Sequence, residues 1–172
     1  GLSYQEASTQ VPLESCETMN GSWGFNITDN NHKSVKTVLQ LLIKAAGYNA
    51  NLLLNVGPMP NGVIQSEFTD TLKKVGEWLE KYGETIYDTR GGLVPPKEWG
   101  TVTMTDKFAF VHILNRPGSY IFIPGIKKKV ANAVLFSDMT KVKFKQQAEG
   151  VFIYLDGIKF DEIDTIVQLD LF

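Results

Sequence analysis

Two stretches place groups capable of chemistry where neighbouring strands end. Leu13-Glu14-Ser15-Cys16-Glu17-Thr18-Met19 reads as a strand running into the turn pair Asn20-Gly21, with Trp23 close behind. Alternation puts Glu14, Cys16 and Thr18 on one face and Leu13, Ser15, Glu17 and Met19 on the other. Thirty residues on, Asn51-Leu52-Leu53-Leu54-Asn55-Val56-Gly57-Pro58 repeats the design: an apolar strand, an Asn at its exit, then Gly-Pro. Carboxylates and aromatic rings at strand exits suit carbohydrate chemistry, in which a carboxyl group attacks a sugar carbon or moves a proton. They match neither a glycine-rich phosphate loop nor the ligand spacing of a metal centre.

The remaining residues exclude several classes. A chain of 172 residues, 43% hydrophobic, can build one domain or two small ones around a real core. A net charge of −2 is not that of a protein that tracks nucleic acid. Lys141, Lys143 and Lys145 alternate and read as the solvated face of a strand rather than a polyanion site; Lys127-Lys128-Lys129 is the other basic run. The single cysteine, Cys16, forms no internal disulfide and is expected to be a small buried residue rather than a nucleophile. His32 and His112 lack ligand spacing, so no metal and no other cofactor is expected. His112, inside Phe108–Leu114, reads as a structural histidine with its polar atoms satisfied. No apolar run reaches membrane-spanning length, no signal peptide is visible, and the chain reads as starting within a fold.

Positioning these residues requires specific elements. Ser34 is a suitable N-cap for a helix through about Ala46, with Gly47 as its stop. Leu52–Val56 is a short apolar strand, as expected where both sheet faces are covered. Phe68, Leu72, Val75, Leu79 and Tyr82 form one stripe of a helix over 66–82, with Trp78 at its edge in the core. Strand, helix, strand, helix is parallel-sheet grammar. Gly91-Gly92 and Pro95-Pro96 mark a linker over 91–98. Beyond it, short apolar segments at 101–104, 107–114, 119–123, 133–136, 142–146, 151–155 and 165–171 predict an antiparallel β-sandwich.

Two βα units are too few to close a sheet, and the simplest account makes them the last units of a longer barrel. The run Leu13-Glu14-Ser15-Cys16 through Ser22-Trp23-Gly24-Phe25 resembles the α-L-fucosidases of glycoside hydrolase family 29, whose segment reads Trp-Glu-Thr/Ser-Cys-Met-Thr-Ile-Asn-x-Ser-Trp-Gly-Tyr. Asn51–Pro58 with Asn61-Gly62, Gly76-Glu77-Trp78-Leu79 and Tyr82-Gly83-Glu84-Thr85-Ile86-Tyr87 continue the match in order. Leu13 stands where the family has Trp, and Glu17 where it has Met.

The resemblance implies an α/β then all-β chain. Residues 1–90 would be the C-terminal part of a (β/α) TIM-like barrel, 91–98 a linker and 99–172 the β-sandwich. It implies retaining exo-hydrolysis of terminal α-L-fucose from glycoconjugates or oligosaccharides. Such hydrolysis uses two carboxyl groups about 5 Å apart. The family's aspartate nucleophile belongs to an earlier strand with no counterpart here, so this chain is expected to be inactive without the missing N-terminal barrel portion as partner. Glu14, which matches the family's Trp-Glu block, Glu17 and Glu6 are the candidate acid/base residues. Trp23 matches the aromatic residue that packs on the sugar's C6 methyl. Asn55 either ties the site rim or caps its own turn. Family members are exported, so an extracellular, periplasmic or lysosomal location is expected, with no nucleic-acid partner and no membrane span. The alternative function is a non-catalytic carbohydrate-binding or structural β module carrying a barrel remnant.

Overall fold

The computed structural model describes Ala7 and residues 10–172. Strand β1 (Leu13–Thr18) and strand β2 (Ala50–Asn55) pair in parallel, Leu13 opposite Ala50 through Thr18 opposite Asn55. Helix α1 (Val35–Gly47) connects them. Helix α2 (Ser66–Tyr82) follows, then a 3₁₀ turn over Gly83–Thr85. Among the described residues no further strand joins this two-stranded sheet.

Ser34 caps α1 as expected, its hydroxyl accepting from Thr37 N at 3.1 Å. The stop differs from expectation. Gly47 is the last helical residue, and the left-handed position is taken by Asn49 at φ 57°. Gly47 is needed for another reason: a Cβ there would lie 2.1 Å from Thr101 Oγ1 and 2.8 Å from Thr101 Cβ. Its missing side chain lets α1 approach the strand that carries Thr101.

That strand, β3 (Gly100–Met104), is followed by β4 (Phe108–Ile113), β5 (Tyr120–Pro124), β6 (Val130–Leu135), β7 (Phe144–Gln147), β8 (Gly150–Tyr154) and β9 (Thr165–Leu171). They form a four-stranded sheet ordered β3-β4-β9-β6 and a three-stranded sheet ordered β5-β8-β7, with every pairing antiparallel. Ala109, Val111 and Ile113 of β4 and Val167, Leu169 and Leu171 of β9 pack with Ile121, Ile123, Val151 and Ile153 between the sheets. The sequence-based sandwich is present.

Both faces of the four-stranded sheet are used. Phe110, Leu114 and Ile166 point away from the sandwich and join Met19, Val38, Leu39, Ile43, Phe68, Val75 and Trp78 in a second core. The layers therefore run from helices to four-stranded sheet to three-stranded sheet. The 91–98 segment is pinned between them: Gly92 N donates to Gly47 O at 3.0 Å, Val94 is buried, and Thr101 Oγ1 donates to Val94 O at 2.8 Å.

His112 is fully buried, with Nδ1 2.6 Å from Asp164 Oδ2 and Nε2 3.0 Å from Thr103 Oγ1. The Thr103 hydroxyl donates to Thr85 O at 2.6 Å, linking β3 and β4 to the 3₁₀ turn after α2. This is the satisfied structural histidine expected from its strand context. Among the described residues no cluster of three metal-ligating side chains occurs, and no helix is long and apolar enough to cross a membrane.

Candidate active site

The exits of β1 and β2 are fastened to each other. Met19 N donates to Asn55 O at 3.1 Å, and Asn55 Nδ2 donates to Trp23 O at 2.7 Å. Asn55 therefore ties the rim, one of the two roles expected for it. Gly57 packs directly on the Trp23 loop, where a Cβ would meet Gly24 C at 2.5 Å and Phe25 N at 2.6 Å. The indole of Trp23 is held out on this framework and is 61% exposed.

Asp29 organises the same loop. Its carboxylate accepts from Gly21 N at 2.8 Å, Ser22 Oγ at 3.2 Å and Asn31 N at 3.0 Å. These bonds favour the charged form. The Asn31 N–H chiefly holds the carboxyl below its ordinary pKa, desolvation opposes it, and Gly21 N–H and Ser22 contribute further. Lys33 closes the loop from beneath, donating through its backbone N to Met19 O and through Nζ to Thr18 O, each at 2.7 Å. His32 meets the Phe68 ring edge-on at 5.1 Å between centroids. Sequence reading did not foresee that Asp29 organises this loop, nor the part played by Lys33. Asp29 offered a signal, since an acidic side chain two residues before Asn31 fits an Asx-type turn.

The candidate carboxylates part company. Glu14 and Cys16 are exposed, on the same face as their register partners Asn51 and Leu53, the latter 50% exposed. Cys16 was expected to be buried; it is exposed because this face of the two-stranded sheet is open. The continuous apolar run of β2 likewise has only one covered face. Glu17 lies on the opposite face with Met19, under the helices. Its side chain is 11% exposed, and its Oε2 is 3.7 Å from Lys33 Nζ. Glu6 lies outside the described residues.

Height along the strand separates them again. Glu14 is at the N-terminal end of β1 and lines a cleft of about 720 Å³ with Leu13, Asn51, Tyr87 and Arg90. Four residues of strand put it about 13 Å below Thr18. Thus Glu14 has the open face but the far end, and Glu17 has the near end but the helix-covered face. The structure gathers Asn55, Asp29 and Trp23 at the exits.

A sequence model described as alpha-L-fucosidase matches residues 3–84. The plasma alpha-L-fucosidase of Homo sapiens is 29% identical over 130 residues, covering 70% of this chain and 27% of the relative. The tissue alpha-L-fucosidase of Mus musculus is 32% identical over 103 residues, covering 58% of this chain and 23% of the relative. Residues 3–84 are thus similar to alpha-L-fucosidases. Among solved structures, alpha-L-fucosidase isoenzyme 1 from Paenibacillus thiaminolyticus superposes with a TM-score of 0.84 at 28% identity, covering 98% of this chain and 43% of that one. The Thermotoga maritima alpha-fucosidase gives 0.74 at 26% identity, covering 91% and 39%. The chain thus spans less than a third of the curated fucosidases compared and less than half of these solved ones. The likeness to the solved fucosidases extends through the β-sandwich.

Proposed function

We propose that this chain supplies the end of the catalytic barrel and the C-terminal β-sandwich of a retaining exo-α-L-fucosidase, acting on terminal α-L-fucose of glycoconjugates or oligosaccharides. Residues 1–90 are the barrel part, 91–98 the connection and 99–172 the sandwich. The observation that carries the reading is the pair of parallel strands with fastened exits, within a chain that superposes over 98% of its length on a fucosidase at 28% identity. A two-stranded parallel sheet with one open face is half a solution, and a barrel completes it. The Thermotoga maritima fucosidase, 25% identical, binds fucose and a mechanism-based inhibitor, which supports the substrate class. Relatives named for plasma and tissue support an exported or lysosomal location.

In this reading the nucleophile and most sugar contacts come from the N-terminal barrel portion. Trp23 packs on the C6 methyl of fucose, a contact worth about 1–3 kcal/mol against a sugar bearing a hydroxyl there. Of the two described glutamates, Glu14 is the better acid/base because its face becomes the lumen; Glu17 is committed to Lys33 beneath the helices. Barrel chemistry sits at the C-terminal strand ends. The depth of Glu14 therefore keeps Glu6, upstream of β1, as the competing residue.

The test is turnover of an aryl α-L-fucoside by the 172-residue chain, alone and preceded by its upstream sequence. The expected result is no hydrolysis by the chain alone and hydrolysis by the longer protein. Activity of the isolated chain overturns the division of the site, and inactivity of both overturns the enzyme reading.

A further inference from the structure

The three-stranded sheet carries an outer face that the fucosidase reading does not use. Its inner residues, Ile121, Ile123, Val151 and Ile153, are buried in the sandwich. Alternation then assigns Tyr120 and Phe122 of β5, and Phe152 and Tyr154 of β8, to the outer side, with Tyr120 opposite Tyr154 and Phe122 opposite Phe152. A solvated sheet face is ordinarily polar. Here four rings lie side by side. Phe152 is 4.7 Å from Phe122 and 5.8 Å from Tyr120 between centroids, and Tyr120 is 54% exposed. Cross-strand aromatic pairs stiffen a short sheet, which explains the pairing but not why all four positions are aromatic.

Charge gives the second observation. Lys145 of β7 stands opposite Phe152 on this face, and Lys143 Nζ lies 5.3 Å from the centre of the Tyr154 ring. No strand of this sheet contains Asp or Glu. The lysines that alternate in the sequence are therefore the flank of an aromatic surface.

We infer that this face docks a sulfated glycan chain. Aromatic rings present flat apolar faces to the C–H faces of sugar rings, and the lysines answer fixed negative charge. Both ammonium groups belong to lysine and none to arginine. An ammonium acts as a point charge and answers the spread charge of a sulfate in any orientation, where a guanidinium fork would fix one geometry. The platform is separate from the strand exits of β1 and β2, so the inference does not rest on the fucosidase reading. Hydrolysis assays report on one and binding assays on the other.

The experiment measures binding of the 172-residue chain to chondroitin sulfate and to the same polymer chemically desulfated, at about 0.15 M salt to screen long-range attraction. Binding to the sulfated polymer and not to its desulfated form is expected. Phe152→Ala, and separately Lys143→Ala with Lys145→Ala, should each weaken it roughly tenfold or more. Tyr120→Ala, at the most exposed ring, serves in place of Phe152→Ala if that variant loses its fold by circular dichroism. Equal binding to both polymers, no binding to the sulfated one, or binding untouched by loss of the rings overturns the inference. So does concentration-dependent self-association abolished by Tyr120→Ala, which makes a second copy the occupant.

Discussion

Asp29 shows how one half-buried side chain can set a site's geometry. Its carboxyl is held below the ordinary value of 3.8, chiefly by the Asn31 N–H. What it contributes to the loop is therefore fully present above that ordinary value and fades as pH falls through the lower folded one. Protection of the Gly21 and Asn31 amides, measured against their intrinsic exchange rates, should fall over that acidic window in the native chain. In Asp29→Ala that protection should be lost at neutral pH already. The glutamates separate by their neighbours. In the proposed full-length fucosidase, Glu14→Gln should slow turnover of fucosides with poor leaving groups and affect good leaving groups far less, because proton donation matters only where charge builds on the departing oxygen. Azide should restore turnover if the same group activates water. Glu17→Gln, losing a largely buried ion pair with Lys33, should lower the urea midpoint and leave the leaving-group dependence unchanged. If Glu17→Gln shows the leaving-group pattern instead, the acid lies three residues along; if neither does, Glu6 or a residue outside this chain is the acid.

At the scale of elements, the periodic signals were legible and the reasons for particular residues were not. Helix α2 runs from Ser66 to Tyr82 because Phe68, Leu72, Val75, Leu79 and Tyr82 recur at helical spacing, and the strands after residue 99 follow from alternation between turns. A glycine's meaning is harder to read, since absence of a side chain serves either a backbone angle or a close approach. Gly47 read as a helix stop, yet it is there for Thr101, a contact fifty-four residues away that no local pattern encodes. Gly47→Ala should lower stability by about 1–3 kcal/mol through overpacking against β3, measured as a shift in urea midpoint at unchanged slope. The burial of Glu17 and exposure of Cys16 follow from which sheet face the helices cover. Alternation paired the residues correctly; for Cys16, it could not say that its face would stay open. The aromatic rows at 120, 122, 152 and 154 were visible as a period of two, but their union needed the β5–β8 register.

The molecule as a whole is less divisible than its sequence implies. The helices and the sandwich share the four-stranded sheet, with Phe110 and Ile166 buried on the helix side and Val111 and Val167 on the other. Phe110→Ala should cost about 3–5 kcal/mol and lower the transition seen by probes in the helices and in the sandwich together. Two separate transitions would mean independent units. His112→Ala should be comparably damaging, about 3–5 kcal/mol, because it leaves the Asp164 carboxyl buried without its imidazole partner. Cutting the chain within 91–98 should yield two pieces that each expose an apolar face and aggregate.

The strand order carries a consequence for biosynthesis. β9 lies between β4 and β6, with Ile166, Val167, Leu169 and Leu171 buried, yet it is translated after both. On the ribosome, β3, β4 and β6 emerge with a gap at their centre, and the helices wait for the surface that Ile166 completes. A stop codon anywhere before Thr165 removes the middle of this sheet rather than its margin. Nascent chains should therefore remain protease-sensitive until β9 clears the exit tunnel, and shortened products should go to degradation instead of surviving as partly working forms.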